Sequence, residues 1–256
     1  MNKARLRSIQ THFPWIPAVK FGLRNQLTRR FGRSIDPDFR LLADLPRPDT
    51  ILDIGGNWGQ SIHAFRYLAK PRQIVSFEPS PYLAQKLRDA FAGDGSVRIE
   101  QFALGASEGQ FTLYTPVYRD YVWDGLASTI ENEARSWLNA ERLSGFDPKL
   151  LRLQTDSIQV RTLDSFNLDA SVVKIDVQGA ETAVVQGGLE TFRRNRPVSL
   201  IEDPKPELID LLGGIGLHPY RVTAKRLVRG DLGGKNTVFM PDETVEILRD
   251  RGYSVG

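Results

Sequence analysis

The run Asp53-Ile54-Gly55-Gly56-Asn57-Trp58-Gly59 constrains the fold more than any other feature of this sequence. It ends a short apolar strand, Thr50-Ile51-Leu52-Asp53-Ile54, and opens a helix over residues 59–69. Glycines at such a junction permit positive φ and let backbone approach a ligand closely. The first helical turn adds unpaired amide donors. A strand, a glycine turn and a helix in that order begin a doubly wound α/β sheet. The chain continues in kind, with a strand over 73–77 stopped by Glu78-Pro79 and a helix through Leu83, Leu87 and Phe91. A strand over 97–102 follows, then strands over 172–177 and 198–201 with a helix from Glu181 between them. This alternation predicts an α/β fold with a mostly parallel sheet, covered on both faces and joined by right-handed crossovers.

Three segments depart from the alternation. Residues 110–114 and 158–162 alternate like half-exposed strands and are expected to pair with each other. Between them, an insert over about 115–158 carries Tyr118, Tyr121, Trp123, Trp137 and Phe146, and a helix is predicted over 130–143. A connection of that length is expected to act as a lid and to supply much of an acceptor pocket. Near the C-terminus, strands over 219–222 and 237–240 are joined too briefly for a crossover, so they are expected to be antiparallel. Residues 1–45 form a basic arm, and residues 46–256 the main domain. In the arm, Pro17 suits a helix start and Gly32 a stop, while Leu23, Leu27 and Phe31 share one face. That face is read as packing on the domain in preference to entering a bilayer.

Composition removes several functions. There is no cysteine, which excludes disulfides, thiolate metal sites and cysteine nucleophiles. No apolar run is long enough to span a bilayer, and the basic start lacks the apolar core of a signal peptide, so the expected compartment is cytoplasmic. The first 35 residues hold eight of the 34 basic residues and no acid, leaving 26 basic residues against all 31 acids in the remainder. Such an arm suits a membrane surface, nucleic acid or the body of the protein itself. Peripheral membrane contact through it stays open, and no nucleic-acid partner is expected.

The glycine turn does not fit a pyrophosphate. A GxGxxG reading from Gly55 meets Asn57 and Gln60 where glycines are required, and no GxxxxGK[ST] occurs. Asp53 would repel a phosphate but attract an amino-acid ammonium. S-adenosylmethionine carries that ammonium and a sulfonium without any phosphate, and Glu78 after the second strand stands where an acid accepts ribose hydroxyls. The structural alternative is that Asp53 and Glu78 cap helices. The predicted cofactor set is Asp53, Gly55, Gly56, Asn57, Gly59, Ser61, Glu78, Pro79, Phe102, Ala103 and Asp176.

Residues 53–59 also resemble the DxGxNxG signature of the FkbM-type methyltransferases. The resemblance runs through Phe77-Glu78-Pro79, Ala103-Leu104-Gly105, Gly109 and Thr162-Leu163-Asp164-Ser165. It continues at Lys174-Ile175-Asp176-Val177-Gln178-Gly179-Ala180-Glu181 and Ile201-Glu202, spanning about residues 50–240. The chain departs from the family at Gln178, where KxDxEGxE has an acid. The resemblance implies S-adenosylmethionine as methyl donor and transfer to an oxygen, commonly a hydroxyl of a sugar, polyketide or glycolipid. The expected partner is therefore a small-molecule or glycan acceptor.

In this architecture ligands lie beyond strand C-termini. Asp176 follows the fourth parallel strand and Glu202 ends the fifth, and these are the candidate catalytic residues. Lys174 shares a side of its strand with Asp176 and is expected to pair with it. A structural pairing of the two, with Asp176 as a helix cap, is the alternative. Trp58, Trp123, Ser128 and Thr129 are placed near the acceptor, the two hydroxyls by analogy with a stretch common in the family. Trp58 serves equally well as a core residue. No metal site is expected, and His12, His63 and His218 are read as structural or surface residues. Three other functions share some of these features. They are a nicotinamide-dependent oxidoreductase, disfavoured by the glycine spacing, a nucleic-acid methyltransferase, disfavoured by the absence of [DN]PP[FY], and a binding module without turnover.

Overall fold

In the computed structural model, which describes residues 3–256, the central sheet has nine strands. Five are parallel neighbours in the order β3-β2-β1-β8-β9: β1 (Thr50–Ile54), β2 (Gln73–Phe77), β3 (Val97–Glu100), β8 (Val172–Ile175) and β9 (Val198–Glu202). The chain lays β2 and β3 on one side of β1, then returns to lay β8 and β9 on the other. The order therefore reverses between β1 and β8, which opens a crevice at their C-terminal ends. The sheet continues past β9 through β12 (Asn236–Met240), β10 (His218–Thr223), β11 (Arg226–Arg229) and β13 (Ser254–Val255). β12 runs antiparallel to both β9 and β10, as the short C-terminal join requires.

Nearly every residue of β1, β2, β8 and β9 is buried, because helices cover both faces. Ile51, Ile74, Val172 and Leu200 pack with Ile62 and Phe65 of α3 (Gln60–Leu68), Leu87 of α4 (Pro81–Ala90) and Leu248 of α9 (Asp242–Asp250). Leu52, Val75, Val173 and Ile201 point the other way. They meet Val184 of α6 (Glu181–Gln186), Phe192 of α7 (Leu189–Asn195) and Leu208 of α8 (Pro206–Gly213). Each such side chain fully withdrawn from water contributes about 1.5–3 kcal/mol.

A second sheet, in the order β4-β7-β5-β6, stands apart from the first. It comprises β4 (Ala103–Leu104), β5 (Gly109–Tyr118), β6 (Tyr121–Val122) and β7 (Leu151–Arg161). β5 and β7 pair antiparallel along ten positions, from Gly109 opposite Val160 to Tyr118 opposite Leu151, so the two expected short strands are the base of a long hairpin. The insert at its tip holds only a short helix, α5 (Glu131–Ser136), where one over 130–143 is predicted. Asn139 ends that possibility. Its side-chain oxygen accepts from the Glu141 and Arg142 amides, giving the backbone a turn in place of helix.

The arm forms α1 (Lys3–Gln10) and α2 (Ile16–Phe31), the second with Pro17 in its first turn and Gly32 in the left-handed cap. The expected packing of the Leu23, Leu27 and Phe31 face is overturned. Leu23 is 57% and Phe31 60% exposed, and only Leu27 is half-buried. α2 docks by its other side. Phe21 stacks on Trp58, Asn25 Nδ2 donates to the Trp58 carbonyl at 2.7 Å, and Thr28 is buried. Residues 21, 25 and 28 share one helical face, and the amide of Asn25 satisfies a backbone carbonyl that no leucine could. α1 lies on the insert, where Ser8 Oγ donates to the Ser144 carbonyl at 2.8 Å and Arg7 sits 5.6 Å over the Trp137 ring. No helix of the described residues is long and apolar enough to cross a membrane.

Candidate active site

A cavity of about 740 Å³ opens at the C-terminal ends of β1 and β8, closed on one side by the hairpin and bordered by Arg24 and residues 34–39 of the arm. That volume is ordinary for a small-molecule site. Its floor is the glycine turn. Gly55 has φ +88°, and a Cβ there would lie 2.0 Å from the Asp176 carbonyl oxygen. A Cβ at Gly56 would lie 2.4 Å from Ser76 Oγ. Both glycines are thus required by the convergence of strand ends beneath the cavity, whatever is bound above.

Below that floor the strand register assembles a charged cluster. Asp53 lies opposite Ser76 on β2 and Lys174 on β8. Its Oδ2 accepts from Ser76 Oγ at 2.9 Å, and Lys174 Nζ is 3.6 Å from Oδ1. Lys174 also donates to the Gly55 carbonyl at 2.6 Å and lies 3.8 Å from Asp176. The expected Lys174–Asp176 pair is therefore one half of a shared cation. Asp53 is fully buried, and burial pushes its carboxyl up against the pull of Lys174 and its hydroxyl partners. It does not line the cavity. The glycine turn lies between its carboxylate and the cavity, and its counter-charge within the protein is Lys174.

Glu78 is placed otherwise. It lines the cavity, and its two oxygens accept from the Asn57 amide at 2.7 Å and the Ser80 amide at 2.9 Å. These bonds fix the carboxylate's plane at the end of β2. Burial nevertheless dominates and raises its pKa to about 7. Asn57 holds a buried Oδ1 with no partner in the protein. A fixed acid on the cavity wall and, beside it, a buried amide oxygen without a protein partner suit a ligand rich in hydroxyl and amino donors. These acceptors fit S-adenosylmethionine.

Across the cavity stands an acid pair. Gln178 Nε2 lies 3.2 Å from both Asp176 Oδ1 and Glu202 Oε2 and donates to each. At Asp176 burial would raise the carboxyl, but Lys174, a hydrogen bond with Glu202 and Lys235 outweigh it and hold the group below the usual range. Glu202 is pushed up to about 7 by that same hydrogen bond, by burial and by the Asp176 charge. Of the two, Glu202 is the acid that holds its proton to higher pH. Gln178, at φ +57°, bridges the two where a carboxylate would repel both.

Of the residues predicted for the site, the cavity wall contains Gly55, Gly56, Asn57, Ser61, Glu78, Pro79, Phe102, Ala103, Ser128, Thr129, Asp176 and Glu202. Gly59, Trp58 and Trp123 are not on it. Gly59 is the N-cap of α3, at φ +80°. Trp58 is held between Phe21 and Tyr82, and Trp123 packs on Tyr121 and Trp137. The insert's aromatics cluster with Leu138 and Leu143 and do not line this cavity. What the insert and its hairpin bring to the cavity is Phe111, Leu113, Ile158, Val160 and the segment 124–130. Ser128 Oγ is also engaged within that segment, donating to Glu133 and accepting from the Ile130 amide.

Among the lining residues that the sequence did not single out, Asp124 and Lys235 carry charge toward the acids of the site. Asp124 is raised to about 6 by burial, against a hydrogen bond from the Trp58 side chain, and its charge reaches Glu78. Lys235 pairs with Asp36 at 2.8 Å and places its charge near Asp176 and Glu202. Asp124 precedes a glycine and Lys235 follows a glycine pair, so each reads as an ordinary turn residue. His63 is outside the wall, tilted against Phe91, its pKa lowered to about 4 by burial and by Arg66 and Arg29.

A 2-O-methyltransferase, NoeI, of Sinorhizobium fredii (strain NBRC 101917 / NGR234) is 30% identical over 166 residues, 61% of this chain and 65% of that protein. This chain thus spans just under two thirds of the curated relative's length. Among solved structures, methyltransferase FkbM of Methylobacillus flagellatus aligns with 85% of this chain and 47% of its own, at 13% identity and a TM-score of 0.47. An rRNA methylase of Streptococcus thermophilus aligns with 81% of this chain and 96% of its own, at 9% identity and a TM-score of 0.40. Residues 48–255 match the methyltransferase FkbM domain, and the chain belongs to that family.

Proposed function

We propose that this enzyme uses S-adenosylmethionine to methylate a hydroxyl oxygen of a small-molecule or glycan acceptor. The observation that carries the reading is the Asp176–Glu202 pair, two carboxylates bridged by Gln178 at 3.2 Å, on the same cavity as the Glu78 cradle. When bound, the cofactor supplies an electrophilic methyl group on a sulfonium leaving group. Glu78 and Asn57 would orient it by accepting from its hydroxyl and amino groups. A hydroxyl acceptor must lose its proton as the carbon–oxygen bond forms, and Asp176 would accept it. Lys174 and Lys235 keep Asp176 ionised for that task, and Gln178 fixes its orientation. Similarity to a 2-O-methyltransferase supports oxygen as the target atom.

The test is transfer of labelled methyl groups to a panel of sugars, glycolipids and polyketides. Asp176→Asn should keep affinity for S-adenosylhomocysteine while turnover falls by about 10²-fold or more. Turnover retained in Asp176→Asn, or abolished by a chelator and restored by magnesium, would refute the assigned base.

A further inference from the structure

The outward face of the arm has no use in the site described above. Val19, Leu23 and Phe31 of α2 are each more than half exposed, as is Trp15 just before it. Leu6, Ile9 and Phe13 extend the apolar exposure along α1 and its turn. Cations are interleaved with these positions. Lys20 and Arg30 share the outward face of α2, and Arg29 and Arg33 flank it. Among the described residues none of these four has an acidic partner within ion-pair distance, whereas Arg24 is paired with Asp36.

We infer that α1 and α2 form a docking surface for an anionic phospholipid bilayer. Exposed aromatic and aliphatic side chains ringed by arginine and lysine suit the boundary between headgroups and acyl chains, where the rings enter and the cations meet phosphate. The charge pattern selects this partner over the others. A second copy meeting the same face would set Lys20, Arg29, Arg30 and Arg33 against the same four cations, with no acid in residues 1–35 to offset them. Nucleic acid would leave Val19, Leu23 and Phe31 without a function. Position agrees as well: a groove along α2, lined by Lys20, Leu23 and Leu27, shares Arg24, Ile35 and Asp36 with the cavity wall. Docking by the arm therefore sets the cavity mouth beside the membrane surface.

The full chain should be sedimented with vesicles of phosphatidylcholine alone and with vesicles containing about a third phosphatidylglycerol. Binding is expected to the anionic vesicles only, and to weaken as salt is raised. Leu23→Asp with Phe31→Asp should weaken it about tenfold or more, as should Lys20→Glu with Arg30→Glu. All four positions are solvent-facing, so thermal melting and S-adenosylhomocysteine affinity should stay at the wild-type values. Failure to bind anionic vesicles, or binding indifferent to both pairs of substitutions, would overturn the inference. So would a concentration-dependent dimer, or retention on RNA, that the Leu23→Asp and Phe31→Asp pair abolishes.

Discussion

Glu78 is held by two backbone amides and still has its pKa raised to about 7, so ionising it costs stability. In the unfolded chain the group titrates near 4.5. The folded state therefore binds the extra proton between about 4.5 and 7, and its stability falls as pH rises through that window. At one pKa unit per 1.36 kcal/mol, the penalty from this residue at pH 8 is about 3 kcal/mol. Glu78→Gln should then raise the melting temperature at pH 8 with little change at pH 5, while cofactor affinity drops by about 1.5–3 kcal/mol. Scanning calorimetry at the two pH values, with titration of S-adenosylhomocysteine, checks both. Glu202 makes a separate prediction. Its proton leaves near neutrality, so turnover should climb as pH passes about 7, where the pair becomes fully ionised and a better base. Glu202→Gln should flatten that rise in kcat, and a profile unchanged by the substitution would remove Glu202 from the proton path.

At the scale of elements, the hairpin decides what the cavity contains. β5 and β7 hold Phe111, Leu113, Ile158 and Val160 against it, and the segment 124–130 closes its upper side. Replacing residues 122–146 by a short Gly-Ser linker removes that segment, α5 and most of the aromatic cluster together, while leaving most of the β5–β7 pairing. Cofactor affinity should stay within a few-fold of wild type and turnover should collapse by about 10²-fold or more. A folded variant, judged by melting, that still turns over at the original rate would show the insert to be surface elaboration. The strands and glycine turn of this fold were legible because their signals are local: apolar runs of five residues, Gly55 at a strand end, Glu78 before a proline. The acid pair was legible by position alone, since Asp176 and Glu202 end parallel strands. What the sequence hid depends on contacts between distant segments. Asn25 reaching Trp58 turns the wrong face of α2 outward, and the tryptophans choose each other over the cavity. Asp53 carries the right charge for a ligand, and the register of β1 with β8 gives it Lys174 within the protein.

For the molecule as a whole, the arm and the insert are fastened to each other at the edge of the domain. α1 meets the insert through Ser8 and Arg7, and α2 meets the glycine-turn region through Asn25. Removing the first 10 residues should leave the main melting transition within a few degrees, because no residue of α1 is buried. Limited proteolysis should then cut sooner within 137–147, where Trp137 and Ser144 lose their cover. The pairing of β1 with β8 has another consequence, for the order in which the protein is made. Lys174 reaches the Gly55 carbonyl across 119 positions of sequence. As the chain leaves the ribosome, β1, β2 and β3 can come together early, but β1 keeps an open edge until β8 has been synthesised. Until then Asp53 has no cation, and the turn above it lacks its anchor. A nascent chain arrested before β8 should therefore carry the whole glycine motif and yet show no affinity for S-adenosylhomocysteine, with its free strand edge exposed to whatever chaperone meets it first.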